Sequence, residues 1–369
     1  MRDLIVFGED FGGLPSSTQH LVNELSQSRK IVWINSIGLR QPSLNRYDIS
    51  RALNKLLGKA KRGYQAHTPS KNITIVNLRT LPAPKSRLAR SLAQRLMLSQ
   101  LKPILAKQQL RSPILWGSLP TIADLCGHLN ESAVVYYCGD DFSSLAGVDH
   151  STIAAHEKRL VEKSDLILAA SQRIADKFPS HKTTLLPHGV DIELFTQPAE
   201  RALDLPNSGR PIVGFYGSLS RWLDYSLIEQ LCLLRPDWDF VFIGPNEFSQ
   251  CPLPMLNNIH YLGPKAHHEL PRYSQHWEAS LIPFLPNQQI QACNPLKLLE
   301  YLAVGKPILA TPFPALEPYQ HYITVTHSAK TMAHALAEMR HPSGLPLSLI
   351  QNESWQARGH QLNTLLEQL

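Results

Sequence analysis

The chain has 369 residues, 43% of them hydrophobic, with five cysteines and a formal net charge of +6. This length predicts two domains of ordinary size, and no apolar run approaches the roughly 18 residues of a membrane span. The cysteines are odd in number and form no CxxC pair, which favours free thiols in a reducing cytoplasm, and the histidines lack a metal-binding spacing, so no metal is expected.

The first half of the chain alternates short apolar strands with helical patterns. The N-terminal MRDLIVFGED has charges on both sides of its apolar run, so it reads as a buried strand and not as a signal peptide. Strands are predicted at 3–7, 30–35, 73–78, 114–116, 133–137, 166–169 and 183–186, and further helices at about 48–61 and 86–108. This alternation predicts a parallel sheet that helices cover on both faces.

A glycine pair, Gly12-Gly13, follows the first strand and precedes a helix that Ser16 or Ser17 can cap. Without side chains, this loop can bring its backbone close to a phosphate or to a reacting sugar. The alternative is a plain tight turn. The GxGxxG fingerprint of dinucleotide-binding domains is absent from this loop.

The positive charge is concentrated between Arg40 and Arg111. This segment contains sixteen Lys and Arg against a single acid, Asp48, so it carries +15 and the rest of the chain −9. Only two aromatic residues, Tyr47 and Tyr64, interleave with the cations, which argues against nucleic-acid binding. We therefore expect the partner to be an anionic membrane surface or a polyanionic, lipid-linked acceptor.

Within this segment, SRALNKLLGKAKRG at 50–63 has the pattern of an amphipathic helix. Its leucines fall on one side and its cations flank them, as in helices that lie in the headgroup region of a bilayer. The alternative is a helix that packs its leucines on the first domain and leaves its charges solvated. The cations assigned to this membrane or acceptor face are Arg51, Lys55, Lys59, Lys61 and Arg62.

Two acids, Asp140 and Asp141, follow the strand predicted at 133–137. Acids just beyond the end of a parallel strand lie where ligands bind, and a carboxylate there can deprotonate an acceptor hydroxyl. We predict that one of the two is the catalytic base if the reaction proceeds with inversion. The alternative is that they cap a turn or a helix.

The second half of the chain restarts the alternation after residues 196–210, which read as a linker because they are polar, contain Pro and Gly, and lack periodicity. Strands are predicted at 212–216, 240–243, 259–262, 280–282, 308–310 and 323–325, and one long helix at 347–369. The predicted domains are therefore 1–195 and 196–345, followed by a C-terminal helix at 346–369.

The stretch NPLKLLEYLAVGKPIL at 294–309 predicts a short helix that Gly305 ends in the left-handed conformation. Lys297 and Glu300 lie on one face of this helix. A lysine beside a helix N-terminus favours an anion, and a glutamate one turn later can accept hydrogen bonds from a ribose diol. The pattern suits a nucleoside diphosphate, and the alternative is an ordinary surface ion pair.

A glycine loop, Gly217-Ser218-Leu219-Ser220-Arg221, follows the first strand of the second domain. Its backbone amides and its arginine are suited to hold a diphosphate at the start of the next helix. A second loop, Gly244-Pro245, ends the following strand.

Three stretches together resemble the GT-B glycosyltransferases, in particular those of family 4, or group 1. They are K-x-x-E-Y-L-A-x-G-x-P in 297–307, S-D-L-I-L-A-A-S with L-L-P-H-G-V-D in 164–195, and V-G-F-Y-G-S-L-S-R-W-L-D at 213–224. The resemblance implies two doubly wound, Rossmann-like α/β domains that face a cleft. The first would bind the acceptor, the second would bind the nucleotide sugar, and the C-terminal helix would cross back onto the first.

The resemblance also assigns a donor site, in which Gly244-Pro245 lines the nucleobase. The residues predicted to bind the donor are Gly217, Ser218, Arg221, Gly244, Pro245, Asn294, Leu296, Lys297 and Glu300. Gly189, in the motif at the hinge, is expected to have a positive φ. Asp237-Trp238-Asp239 is formally a DxD metal motif but is interpreted as a turn.

The chain departs from the family pattern at two points. Ala292 stands where the first glutamate of the E-x7-E motif is expected, so Cys293 and Asn294 are predicted to line the space beside the donor sugar. No lysine follows Arg221 within a few residues, which leaves Lys297 as the main expected cation.

The sequence thus predicts a hexosyltransferase-like glycosyltransferase in bacterial surface polysaccharide synthesis. It would move a sugar from a nucleoside-diphosphate sugar to a hydroxyl of a glycan or lipid-linked acceptor, without a cofactor, at the inner face of the membrane. One alternative is a non-hydrolysing sugar-nucleotide epimerase, for which the basic segment has no evident use. The other is a non-catalytic relative that binds sugar nucleotides, which Ala292 favours.

Overall fold

The computed structural model describes residues 1–13, 16–36, 70–81, 84, 86–142, 149–339 and 345–369. The helix expected at 48–61 lies outside these residues, as do the cations assigned to the membrane or acceptor face: Arg51, Lys55, Lys59, Lys61 and Arg62. The chain divides into two compact units. The first unit comprises Met1–Pro187 and Arg358–Leu369, and the second comprises His188–Ala357.

The first unit is built on a seven-stranded sheet in which every pair of neighbouring strands is parallel. The strands are β1 (Leu4–Phe7), β2 (Ile31–Ile34), β3 (Ile73–Val76), β4 (Ile114–Gly117), β5 (Ala133–Cys138), β6 (Leu166–Ala169) and β7 (Thr183–Leu185). Their order is β3-β2-β1-β4-β5-β6-β7. The central strands are buried along their whole length, which explains why they are continuous apolar runs without alternation.

The second unit repeats this design with a six-stranded parallel sheet. Its strands are β8 (Ile212–Tyr216), β9 (Asp239–Ile243), β10 (Ile259–Tyr261), β11 (Ala279–Ile282), β12 (Ile308–Ala310) and β13 (Thr324–Val325), in the order β10-β9-β8-β11-β12-β13. The predicted class, two Rossmann-like α/β domains, is confirmed. The strand order reverses beside β1 in one sheet and beside β8 in the other, and ligands of such sheets bind beyond the carboxyl ends of the strands there.

Helices connect the strands in both units. In the first they are α1 (Ser17–Leu25), α2 (Arg87–Gln108), α3 (His150–Lys163) and α4 (Gln172–Ala175). In the second they are α5 (Ile192–Thr196), α6 (Tyr225–Leu234), α7 (Pro271–Ser274), α8 (Gln288–Ala292), α9 (Leu296–Val304) and α10 (Ala329–Glu338). Within the described ranges, none of the helices has the length and apolar composition to span a bilayer.

Two details at the start of the second unit differ from the sequence interpretation. Gly189 does not have a positive φ. A Cβ at this position would lie 2.8 Å from the ring of Trp355, so the glycine is needed for close packing and not for a left-handed turn. Thr196 ends α5, and residues 197–210 form neither helix nor strand, as expected of a linker, but Ala202 and Leu205 are buried in the core of the second unit.

The C-terminal helix is shorter than predicted. Two short 3₁₀ turns occupy Leu347–Leu349 and Gln351–Glu353, and the α-helix, α11 (Trp355–Glu367), begins only at the tryptophan that was expected near its middle. Its last three turns belong to the first unit. There, a Cβ at Gly359 would lie 2.7 Å from the Cβ of Glu24, so α11 packs closely against α1.

A buried arginine fixes the end of α11 to the first unit. The side chain of Arg29 is fully buried, and its guanidinium donates hydrogen bonds to the Arg2 carbonyl at 2.5 Å, Asn363 Oδ1 at 2.7 Å and Glu367 Oε1 at 2.5 Å. Because a buried cation is stable only when it is well paired, this cluster depends on the helix being present.

Replacing Arg29 by Met should therefore lower the free energy of unfolding by about 2–3 kcal/mol, since hydrogen bonds to charged groups are worth roughly 1.5–3 kcal/mol. Urea unfolding would measure the loss. Lys30→Met is the matched control, because the neighbouring side chain is exposed and should change stability by less than about 0.5 kcal/mol. Equal losses in the two variants would contradict the assignment.

Candidate functional site

Two glycine loops pack against each other beyond the carboxyl ends of β8 and β9. Gly217 and Gly244 have φ angles of +140° and +142°, which side chains on L-residues rarely permit. A Cβ at Gly244 would lie 2.0 Å from the Gly217 carbonyl oxygen. The Gly217 N–H donates to the Ile243 carbonyl at 2.8 Å and the Leu219 N–H to the Pro245 carbonyl at 2.9 Å. The loops therefore form one continuous backbone surface.

Lys297, in the first turn of α9, extends to this surface. A Cβ at Gly217 would lie 2.3 Å from Lys297 Nζ, so the ammonium occupies the space that the glycine leaves open. The same Nζ lies 4.5 Å from the ring centroid of Phe215 and 5.2 Å from that of Phe284. Among the described residues, no carboxylate forms an ion pair with it.

Burial of this ammonium lowers the pKa of Lys297 to about 8, against smaller opposing effects of Cys293 and Glu300. The faces of the two rings attract the cation but do not neutralise it. The site therefore holds a desolvated positive charge next to a bare backbone loop, which is an arrangement suited to an anion.

Glu300 lies one turn after Lys297 on α9 and is 7% exposed. Its Oε1 is 2.7 Å from His267 Nε2. Burial lowers the pKa of His267, but the hydrogen bond and the charge of Glu300, together with the charge of Asp191, outweigh burial and raise it above its ordinary value. One carboxylate oxygen of Glu300 is therefore held in place by the imidazole.

An aromatic cluster packs beside this pair. The rings of Tyr216 and Tyr301 are 4.7 Å apart, and that of Trp277 lies 6.0 Å from each. Tyr301 Oη accepts a hydrogen bond from the Tyr216 N–H at 2.9 Å. Gly214 makes room for the tryptophan, since a Cβ there would lie 1.7 Å from its ring. Burial, with Glu300 and Tyr301 nearby, raises the pKa of Tyr216 well above its ordinary value, so this hydroxyl is neutral.

The sequence missed His267, Phe215, Phe284 and the aromatic cluster as parts of this site. His267 begins a 3₁₀ turn, His267–Glu269, and no metal-binding spacing surrounds it in the sequence. Its position could have identified it, because His267 lies in the loop after the parallel strand β10, and ligand-binding residues of such sheets are commonly found in these loops.

The other predicted donor residues belong to the two glycine loops or to the start of α9 and differ in exposure. Arg221 is exposed and forms no ion pair with any described residue, while Ser218 and Pro245 are partly buried. Asn294 and Leu296, at the start of α9, are also partly buried. Asp224, where a second cation was expected, caps α6 by accepting a hydrogen bond from the Leu227 N–H at 2.9 Å.

The position of the missing glutamate is occupied by a methyl group in the core. Ala292 ends α8 and is 2% exposed, whereas the neighbouring Cys293 is partly buried. The DxD-like triplet is structural, because Asp237 pairs with Arg235, and Asp239 bonds to His260 at 3.0 Å. The described ranges contain no group of three or more His, Cys, Asp or Glu that could hold a metal ion.

In the first unit, Asp140 and Asp141 follow β5 directly and have different environments. Asp141 Oδ1 forms an ion pair with Lys177 Nζ at 2.5 Å. Asp140 is exposed at the surface, yet desolvation by the surrounding protein and the charge of Asp141 raise its pKa. Asp140 is therefore the better candidate for a base, because its carboxylate is accessible and its affinity for a proton is increased.

The loop after β1 contributes a further acid that the sequence analysis missed. Glu9 accepts a hydrogen bond from Ser16 Oγ at 2.9 Å. Burial raises the pKa of Glu9, and the nearby charges of Asp140 and Asp10 add to the rise. Its position, just after the end of the first predicted strand, is the sequence feature that could have identified it.

Gly12 and Gly13 use their backbone amides within their own loop. Gly12 has a φ of +77°, and its N–H donates to Gln19 Oε1 at 3.0 Å, while the Gly13 N–H donates to the Asp10 carbonyl at 3.0 Å. A role for this pair in binding phosphate or acceptor stays a prediction.

Comparisons with known proteins agree with this geometry. Residues 210–341 match the family model of the glycosyl transferases group 1. Over 227 residues the chain is 27% identical to a Bacillus subtilis (strain 168) protein that carries the name teichuronic acid biosynthesis glycosyltransferase TuaH, and this match covers 56% of the chain and 57% of that relative.

Solved structures extend the agreement in fold to the whole chain. HepE of Anabaena, solved in complex with UDP and glucose, has a TM-score of 0.70 at 12% identity and full coverage of both chains. Sucrose-phosphate synthase from Thermosynechococcus elongatus has a TM-score of 0.69 at 15% identity, covering 100% of this chain and 99% of that one. The family match confirms the resemblance to the group 1 glycosyl transferases for residues 210–341, and the solved structures confirm the GT-B fold for the whole chain.

The ligand-free protein should become more stable when Lys297 is replaced by Met. At neutral pH the folded and unfolded chains both hold the proton, so the full cost of burying the ammonium, on the order of 2 kcal/mol, is present in the wild type. As the pH rises from about 8 toward the ordinary value of 10.5, the folded protein releases this proton first, and the wild type gains stability relative to the variant.

Urea unfolding at neutral and alkaline pH would measure both effects. Lys330→Met, which changes an exposed lysine on α10, should alter stability little at either pH. A destabilised Lys297→Met protein would contradict the interpretation of an uncompensated buried charge.

Proposed function

We propose that this chain, whose residues 210–341 match the group 1 glycosyl transferases, moves a sugar from a nucleoside-diphosphate sugar to a hydroxyl of a glycan or lipid-linked acceptor. The observation that carries the proposal is the desolvated ammonium of the partly buried Lys297, which contacts Gly217 and has no carboxylate partner among the described residues. The diphosphate of the donor supplies the missing negative charge.

The leaving diphosphate gains charge in the transition state, and a fixed cation beside preorganised backbone amides stabilises that charge. Glu300 binds the ribose diol with the carboxylate oxygen that His267 does not hold. Gly244 and Pro245 line the nucleobase. The solved complex of HepE with UDP and glucose supports a uridine nucleotide as the first donor to test.

An inverting transfer needs a base for the acceptor hydroxyl, and we assign this role to Asp140. The raised pKa of Asp140 increases the strength of the base, whereas Asp141 is committed to Lys177. The buried Ala292 supports a base in the first unit, since it leaves that position beside the donor without a carboxylate.

We further propose that the acceptor belongs to bacterial surface polysaccharide synthesis and that the protein works at an anionic membrane surface. The name of the B. subtilis relative supports the first statement. The charge of +15 between Arg40 and Arg111 supports the second, and a sugar-nucleotide epimerase would have no use for it.

Replacing Lys297 or Glu300 by Ala should weaken UDP binding at least ~10-fold, because a lost charge-assisted hydrogen bond costs roughly 1.5–3 kcal/mol. Isothermal titration calorimetry would measure the affinity, and circular dichroism would establish that the fold is intact. The control pair is Lys330→Ala and Glu338→Ala on α10, where both side chains are exposed. Unchanged affinity in both site variants would exclude this donor site.

Asp140→Asn should lower kcat by about 10²–10⁴-fold while UDP affinity is kept, because a general base is lost. Asp141→Asn should have a smaller effect. The wild type should also lose kcat/KM as the pH falls through the raised pKa of Asp140, since only the carboxylate accepts a proton. Rate measurements with membrane extract as acceptor test this, and near-normal rates in both variants would point to a retaining mechanism or a base elsewhere.

A further inference from the structure

Helix α2 is apolar on two opposite faces. Ala93, Met97 and Leu101 recur every four residues and are between 0% and 6% exposed, so this side packs into the first unit. Arg90 lies on the same side and forms a bidentate ion pair with Asp124. These contacts hold the helix on the first unit.

The opposite face carries a second row of large apolar side chains. Leu88, Leu92 and Leu96 also recur every four residues, and they are 85%, 52% and 39% exposed. At about 100° per residue, they span an arc of roughly 80° that faces away from the packed side. We call these three residues the leucine ridge. Exposed leucines are ordinary when single, but an aligned row indicates an interaction surface.

Cations and no acids accompany the ridge. Arg87, Arg95 and Lys102 are exposed on α2, and the 22 residues of the helix contain no Asp or Glu. Arg95 and Lys102 fall within about 40° of Leu88 around the helix axis, whereas Arg87 lies about 100° from Leu88 at the exposed N-terminal end of the helix. An apolar row with basic residues beside it is the pattern of helices that lie in the interface of an anionic bilayer.

We propose that the leucine ridge, with Arg87, Arg95 and Lys102, docks the first unit on an anionic phospholipid bilayer. The leucines enter the boundary between headgroups and acyl chains, and the three cations lie beside lipid phosphates. The helix stays parallel to the membrane plane, because its other side remains packed in the first unit.

The positive charge of α2 favours an anionic bilayer over the other possible partners of the leucine ridge. A second copy of the chain would bring one acid-free cationic helix against another. Residues 37–69 carry seven Lys and Arg and one Asp, so their charge does not complement the ridge either. An anionic lipid surface complements both stretches at once.

The docking rests on the proposed function in one respect only: it would bring the enzyme to a lipid-linked acceptor. The docking itself requires neither donor nor sugar transfer. Vesicle binding and UDP binding therefore fail independently, and each is measured on the same full-length variants.

The test is flotation of the full chain with vesicles of equal parts phosphatidylglycerol and phosphatidylcholine. The variant Leu88→Gln, Leu92→Gln, Leu96→Gln keeps helix propensity and should reduce the bound fraction at least ~10-fold. Its matched control changes three exposed leucines of the second unit in the same way: Leu203→Gln, Leu233→Gln and Leu234→Gln. The control should bind as the wild type does.

A second pair of variants tests the cations. Arg87→Gln, Arg95→Gln and Lys102→Gln together should weaken binding and flatten its dependence on salt, because screened phosphate contacts are lost. The control removes three positive charges elsewhere, at the exposed Lys158, Arg173 and Lys330, and should reduce vesicle binding less. UDP affinity should stay at the wild-type value in all four proteins.

Three results would overturn the proposal. The wild type could bind phosphatidylcholine vesicles as well as anionic ones, or neither kind. The ridge variant could bind as the wild type does. The wild type could form a dimer that the ridge variant loses, which would assign the ridge to self-association.

Discussion

The space that Gly217 leaves for the Lys297 ammonium is the constraint around which the candidate site of the second unit is arranged. A positive charge with no carboxylate partner among the described residues fits there because two aromatic rings face it and because Gly217 itself has no side chain. Gly217 in turn needs Gly244, whose own Cβ would meet the Gly217 carbonyl. The carboxyl ends of β8 and β9, the two glycine loops and the first turn of α9 therefore pack together as one structural unit.

The local features of this arrangement could be predicted from sequence. Gly305 ends α9 with a φ of 76°, as expected, because a glycine directly after an apolar helical stripe commonly adopts the left-handed conformation that ends a helix. The separation of Lys297 and Glu300 by one turn is a property of the helix itself. The alternation of strands and helices was sufficient for the fold class.

The partners of these residues could not be predicted, because they are distant in sequence. His267 is 33 residues from Glu300, and Phe215 is more than 80 residues from Lys297. Nothing in the pattern around a histidine indicates which acid it will meet. The same limit explains Gly189, where the need for glycine comes from Trp355 at the other end of the unit. Likewise, adjacent Asp140 and Asp141 look equivalent until Lys177 pairs with one of them.

The cluster around Arg29 has a consequence for the order in which the protein is made. Its partners Asn363 and Glu367 are synthesised after the whole of the second unit, although all three residues belong to the first. Domains generally fold as units during synthesis, and the N-terminal one usually folds first. Here the second unit has its complete sequence before these partners exist, so the buried guanidinium obtains its last hydrogen bonds only after Asn363 and Glu367 have been synthesised.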